Sequence, residues 1–349
     1  EENDLDEMTL AKSCIVMSWI RARRYPRALG VMALVAGSLA ACNQPFDPRG
    51  PQEQQIVVYT VLSTDRTVQY VRVNSSYMPP GYDATAYTED SWIRDASVKL
   101  IGAGKTWSFH DTSLARPDTG RYKLPLRMYA VKPFVPERGK AYNLLVESPT
   151  FGVAQATVTM PAKSTIVLNA VSVPVLTQPL SATPDGKIEF TVDLSSTAGG
   201  YTNHLYIYYD VLKGSRWVEE RFEIPLEPIP RDTSYSLDRP VYDQLNPTSL
   251  SKRVTVQFKA GYLQKIIKKL TTVQYADTHL IYKWIVLTVL QTDKNLFAYY
   301  KSVRGYQDPL SIRLDQPLYS KIDGGVGLVG AYALDSLTFV LPEVYGGNR

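Results

Sequence analysis

The sequence predicts a mainly β protein built as two β-sandwich domains, immunoglobulin- or transthyretin-like, with one short helix in the second. Three observations lead there. Apolar and polar residues alternate with period two over many short runs, the pattern of half-buried antiparallel strands. Proline (23) and glycine (21) are spread along the whole 349-residue chain and divide it into short segments. Tyrosine is abundant, at 24 against 9 Phe and 5 Trp, and it suits strands because its ring packs while its hydroxyl stays wet. With 44% hydrophobic and 21% charged residues, the chain has the composition of a globular protein.

The N-terminal region is not expected to join the fold. Residues 17–42 read MSWIRARRYPRALGVMALVAGSLAAC. Arg21, Arg23, Arg24 and Arg27 make a basic n-region. The apolar run from Ala28 to Leu39 fits a secretory h-region and is too short to span a bilayer. It closes on Leu39-Ala40-Ala41-Cys42, which resembles the lipobox of bacterial lipoproteins, where the Cys thiol takes a diacylglyceryl group and the chain is cut before it. Residues 1–41 are thus expected to be upstream sequence and a removed signal peptide, with Met8 and Met17 the two candidate starts. Cys42 is the expected lipidation site. The only other cysteine, Cys14, lies in the discarded part, which leaves no disulfide and no Cys-based metal site in the expected mature chain. Residues 1–41 hold equal numbers of acids and bases, so the mature part keeps the net charge of +4. That is weak for this length, and no basic run has the look of a nucleic-acid stripe.

Residues 42–54, polar and proline-rich, read as a flexible tether. A first sandwich is expected over 55–161. Its strands are IVVYTVLST (56–64), TVQYVRVNSS (67–76), ASVKLIG (96–102), TWSFHDT (106–112), GRYKLPL (120–126), KAYNLLVES (140–148) and VAQATVTM (153–160). Pro161 marks the boundary. A second sandwich follows over 162–349, with strands at 165–173, 187–194, 204–212, 216–224, 253–260 and 279–291. One helix is expected over 293–304, with Thr292 as its cap, Asp293 in its first turn and Gly305 past its end. The lysine cluster QKIIKK (264–269) reads as a solvated edge or helix face. Two stretches, 77–92 and 225–249, are loops long enough to suggest function or mobility.

Gly325, Gly327 and Gly330 spell G-x-G-x-x-G. A dinucleotide site needs a strand before this motif, a long helix after it and an acid some 20 residues on. Here AYALDSLTFVLPEVYGGNR follows, which is strand-like, so no nucleotide is expected. The glycines should instead serve positive φ, or a close backbone approach, where a loop crosses the last strand. Searches for H-E-x-x-H, G-x-S-x-G, C-x-x-C and the P-loop are negative. His110, His204 and His279 are far apart, and His110-Asp111 is the one local His–carboxylate pair. Asp83, Glu89 and Asp90 lack the alternating oxygen-ligand pattern of a calcium loop. No catalytic residue, metal or cofactor is expected. A glycosidase carboxylate pair would leave no spacing to read.

YKWIVLTVLQTDKNLFAYYKSV (282–303), followed by QPLYSKIDGGVGLVGAYALDS (316–336), resembles a bacterial lipoprotein family known as domain of unknown function 4249. The lipobox and IRDASVKLIGAG (93–104) fit it too. The resemblance covers roughly residues 40–340, with Tyr319, Gly324, Gly325, Gly327 and Gly330 as its signature. Lys321 and Val329 stand where the family has Asn and Phe. The resemblance implies a non-enzymatic, lipid-anchored outer-membrane binding protein of Bacteroidota type, accessory to a TonB-dependent receptor. The rival readings are a structural subunit like the lipoprotein pilins, matured by a cut after Arg49, and a glycan hydrolase.

Overall fold

A computed structural model describes residues 53–76, 91–116, 124–170, 186–224, 252–276, 278–304 and 320–341. The signal segment, Cys42, most of the tether, Tyr319, Gly305 and the expected loops at 77–90 and 225–249 lie outside these residues. The chain is mainly β, in several sheets, as its sequence predicts. The strands are β1 (Ile56–Ser63), β2 (Gln69–Ser75), β3 (Ser97–Gly102), β4 (Lys105–Ser108), β5 (His110–Leu114), β6 (Leu126–Val131), β7 (Ala141–Ser148) and β8 (Gly152–Thr159), then β9 (Thr165–Leu168), β10 (Lys187–Asp193), β11 (Gly200–Lys213), β12 (Arg216–Ile224), β13 (Arg253–Lys259), β14 (Leu280–Thr292) and β15 (Gly325–Val340). Two helices, α1 (Ala260–Lys269) and α2 (Lys294–Arg304), complete the described elements.

The period-two pattern is what buries these strands. Tyr142, Leu144 and Val146 of β7 point inward, as do Ala154, Ala156 and Val158 of β8 and Ile188, Phe190 and Val192 of β10. Of the expected strand at 120–126, residues 120–123 lie outside the described residues; β6 begins at Leu126, just after Pro125, which has no N–H to give to a ladder.

Eight strands form one sheet in the order β12-β11-β14-β15-β1-β2-β6-β5. The sheet β4-β3-β7-β8 covers one half of it, enclosing a core of Val58, Leu62, Val73, Leu100, Leu144 and Met160 among others. The sheet β13-β10-β9 covers the other half, around Phe190, Leu205, Ile207, Phe258, Ile285 and Leu287. Two apolar cores therefore flank Pro161: Met160 belongs to the first, and Ile166 packs against the second. The sheet itself does not divide there. β15 runs parallel to β1, from Ile56 opposite Gly325 to Ser63 opposite Tyr332, and then antiparallel to β14 up to Val340 opposite Trp284. Its Val329 and Ala331 enter the first core, and Leu337 and Phe339 pack on the second. Residues from Gln54 onward form one compact unit. A parallel pairing between the first and last strands is a contact of maximal sequence separation, which local patterning does not report.

The lysine cluster at 264–269 is the outer side of α1. Leu263, Ile266 and Leu270 are buried in the second core, while Lys265, Lys268 and Lys269 are exposed. A π-helical turn, Leu270–Gln274, extends the helix.

Candidate functional site

The signature glycines do not lie in a loop. Gly325, Gly327 and Gly330 sit inside β15, in the half that pairs with β1. Gly327 has φ +124° and Gly324, just before the strand, has φ +73°, whereas Gly325 is not among the positive-φ glycines. Close approach accounts for all four. A Cβ would lie 2.0 Å from the Val153 carbonyl oxygen at Gly324, 2.7 Å from that of Ile56 at Gly325 and 2.0 Å from that of Val58 at Gly327. At Gly330 it would lie 2.9 Å from Leu296 Cβ. The motif lets β15 press between β1, β8 and α2.

β14 pairs with β15 only as far as Tyr332, so the free edge of the first half of β15 needs other partners. The start of α2 supplies them. The Asp293 amide donates to the Ala331 carbonyl (2.8 Å), and Asp293 Oδ1 accepts from the Ala331 amide (3.0 Å). Asn295 Nδ2 donates to the Val329 carbonyl (3.2 Å) and, across the seam, to the Thr157 carbonyl of β8 (3.1 Å). Asp293 also caps the helix: its Oδ2 accepts from the Asn295 amide (3.0 Å) and its Oδ1 from the Leu296 amide (2.9 Å). The cap is thus Asp293, one residue beyond the expected Thr292, which closes β14 opposite Tyr332. Burial pushes the Asp293 carboxyl above its ordinary range, and the amides of Leu296, Ala331 and Asn295 pull against that.

A second polar cluster locks the seam. The buried carboxylate of Asp335 accepts through Oδ2 from the Ser164 amide (3.0 Å), the Ser164 hydroxyl (2.8 Å) and Gln291 Nε2 (3.1 Å). Arg138, from the first half of the chain, meets Asp335 Oδ1 at 2.9 Å and donates to the Leu334 carbonyl at 2.8 Å. The fully buried Gln291 accepts from the Ser195 amide and donates to the Ala162 carbonyl. The segment after Pro161 is therefore fixed by side chains of β14 and β15.

Between β8 and α2 runs a polar groove. One part is lined by Thr157, Thr159, Ser196, Thr197, Lys294, Asn295 and Lys321 around Asp293. A second part shares Thr157, Asn295 and Lys321 and adds Asn143, Gln155, Ala156 and Asp323. Asp323 is held by a two-way backbone bridge to Gln155 (2.9 Å each way). The groove begins where the signature segment enters β15. It offers hydroxyls, amides and lysines, all groups that hold a ligand by hydrogen bonds.

His110 and Asp111, adjacent in the sequence, face opposite sides of their strand. His110 is exposed on β5, and Asp111 lies 3.6 Å from Arg127. His204 instead contacts Glu223 at 2.7 Å on the outer face of the large sheet, beside a ladder in which Arg221 lies over Tyr206 and Lys283 over Trp284. His279 is exposed. Among the described residues no cluster of His, Cys, Asp and Glu is placed to hold a metal, and no helix is long and apolar enough to cross a membrane. Sequence reasoning missed Asn295, Asp335 and Gln291, whose partners are 34 residues or more away in the chain.

No curated protein matches the sequence. Among solved structures, the C-terminal globular domain of an oligosaccharyltransferase from Pyrococcus abyssi is similar at 11% identity over 85% of this chain, with a TM-score of 0.20. The match takes in 52% of that chain, so this protein spans about half its length. So loose a superposition carries no argument. The family model described as "Domain of unknown function (DUF4249)" matches residues 43–338, and the chain belongs to that family.

Proposed function

We propose that this protein is a lipid-anchored binding protein of the outer membrane, of Bacteroidota type, acting without catalysis as accessory to a TonB-dependent receptor. The observation that carries the reading is the alignment of basic n-region, apolar h-region and Leu-Ala-Ala-Cys site on Cys42, a short stretch before the compact unit begins at Gln54. One cysteine carrying more than one acyl chain gives stable anchoring. The seam groove, with its hydrogen-bonding lining and the signature strand at its edge, supports binding as the work of the folded part. Membrane fractionation of Cys42→Ala tests the anchor. The variant is expected in the soluble or unprocessed fraction, and its recovery with the outer membrane at the wild-type level overturns the reading.

A further inference from the structure

The groove lining carries two lysines that the fold does not hold in ion pairs. Lys294 and Lys321 both line it, and among the described residues neither is in an ion pair. Lys252 lies behind them: its ammonium donates to the Ala198 carbonyl at 2.8 Å, and its pKa is lowered first by burial and then by the nearby charge of Lys294. The acids offer little compensation. Both oxygens of Asp293 are taken by backbone amides, and Asp323 stands alone at the far end. Of the exposed charged residues in the lining, the two lysines outnumber the one acid, Asp323; among the described residues neither lysine makes an ion pair, and Lys321 acts on the fold only through its charge near the buried Asp293.

The rest of the lining is rich in hydroxyls. Thr157 and Thr159 stand on β8, with Ser196 and Thr197 across from them. No hydrogen bond among the described residues engages the hydroxyls of Thr157, Thr159 or Ser196. The Asn295 and Leu296 amides of α2 are not available to a ligand, since Asp293 caps them. No arginine lines either part of the groove. A planar carboxylate is read best by the arginine fork, whereas lysine meets phosphate as a point charge.

We propose that the seam groove binds the phosphate of a polyol phosphate, with Lys294 and Lys321 holding the anion and the Thr157, Thr159 and Ser196 hydroxyls holding the ligand's own hydroxyls. The same chemistry occurs in a free sugar phosphate and in the headgroup of an anionic lipid. This inference rests on the binding reading above and deepens it.

The test is isothermal titration of the full chain, held in neutral detergent at low ionic strength, with glucose 6-phosphate, glycerophosphoglycerol and uncharged glucose. At least one phosphate should bind with a Kd below about 1 mM, and glucose at least about tenfold more weakly. Lys294→Gln and Lys321→Gln should each weaken phosphate binding about tenfold, the scale of one charge-assisted hydrogen bond. Both side chains are exposed, so the melting temperature should hold. Binding of glucose 6-phosphate alone assigns a free sugar phosphate, and binding of glycerophosphoglycerol alone assigns a headgroup; either supports the inference. A flat titration with both phosphates, equal binding of glucose, or phosphate binding unchanged in the double variant overturns it. Fractionation of Cys42→Ala reads the anchor independently, so a flat titration beside normal anchoring removes the ligand assignment and leaves the anchor reading standing.

Discussion

Gly327→Ala adds a single methyl group at the point where the first and last strands meet. Gly327 pairs with Val58 and has φ +124°. An L side chain held at such a φ costs about 1–3 kcal/mol. The added Cβ would also sit 2.0 Å from the Val58 carbonyl oxygen, 2.9 Å from its carbon and 3.1 Å from its nitrogen. Backbone cannot yield as a side-chain tip does, so β1 and β15 must separate locally and lose one or two ladder hydrogen bonds, about 1 kcal/mol each. The total is about 2–5 kcal/mol. At 2–4 °C per kcal/mol for a unit approaching this size, the melting temperature should fall by roughly 4–20 °C. Because β1 is central to the large sheet, the loss should reach both cores and appear as one transition. Gly104→Ala is the control: its φ is +73°, but a Cβ there meets nothing within 4 Å, so only strain of about 1 kcal/mol applies. Calorimetry of the two variants and the wild type makes the comparison. If Gly327→Ala melts within about 2 °C of wild type, or no lower than Gly104→Ala, close approach is not why glycine stands there.

Other consequences are open to direct measurement. Arg138→Met leaves Oδ1 of the buried Asp335 without its partner while Ser164 and Gln291 keep Oδ2; a loss of about 1–2 kcal/mol in urea unfolding is expected, and an unchanged midpoint refutes the seam lock. Asp293 has a pKa raised in the fold above its ordinary 3.8, so the stability it contributes is full below that value and is lost as pH rises through the folded pKa. Asp293→Asn cannot titrate, so its deficit against wild type should narrow between pH 4 and 7; a deficit that widens contradicts the burial assignment. Titration with NAD, FAD and ATP should be flat, since the G-x-G-x-x-G glycines lie within a strand that continues to Val340; micromolar binding of any one refutes that.

What the sequence could and could not show follows from the range of each signal. Period-two alternation is local, and it placed β7, β8 and β10 closely because each buries every second side chain, and β12 because its side chains alternate between half-buried and exposed. α2 was legible from its apolar stripe and from Asp293 ahead of Lys294 and Asn295, although Thr292 competes with Asp293 as cap by residue type alone. α1 was half legible: its lysines mark an exposed face, but two isoleucines between them fit an edge strand as well as a helix. That the glycines serve positive φ or close approach was legible, but not what they approach, because the atoms that exclude a Cβ at Gly324, Gly325 and Gly327 belong to Val153, Ile56 and Val58, more than 150 residues earlier in the chain. The seam groove was hidden for the same reason. Its lining comes from β8, from the turn at Ser196 and Thr197, from α2 and from Lys321, and no spacing rule links residues gathered by a parallel pairing of the chain's two ends.

The claim on which the functional reading depends is that Cys42 becomes the lipidated first residue. Mass spectrometry of the N-terminal peptide, taken from protein extracted from its native membrane, tests it most directly. The account predicts a chain that begins at Cys42 and carries a diacylglyceryl group on that thiol. An N-terminal peptide that retains residues upstream of Cys42, or an unmodified Cys42 thiol, contradicts it.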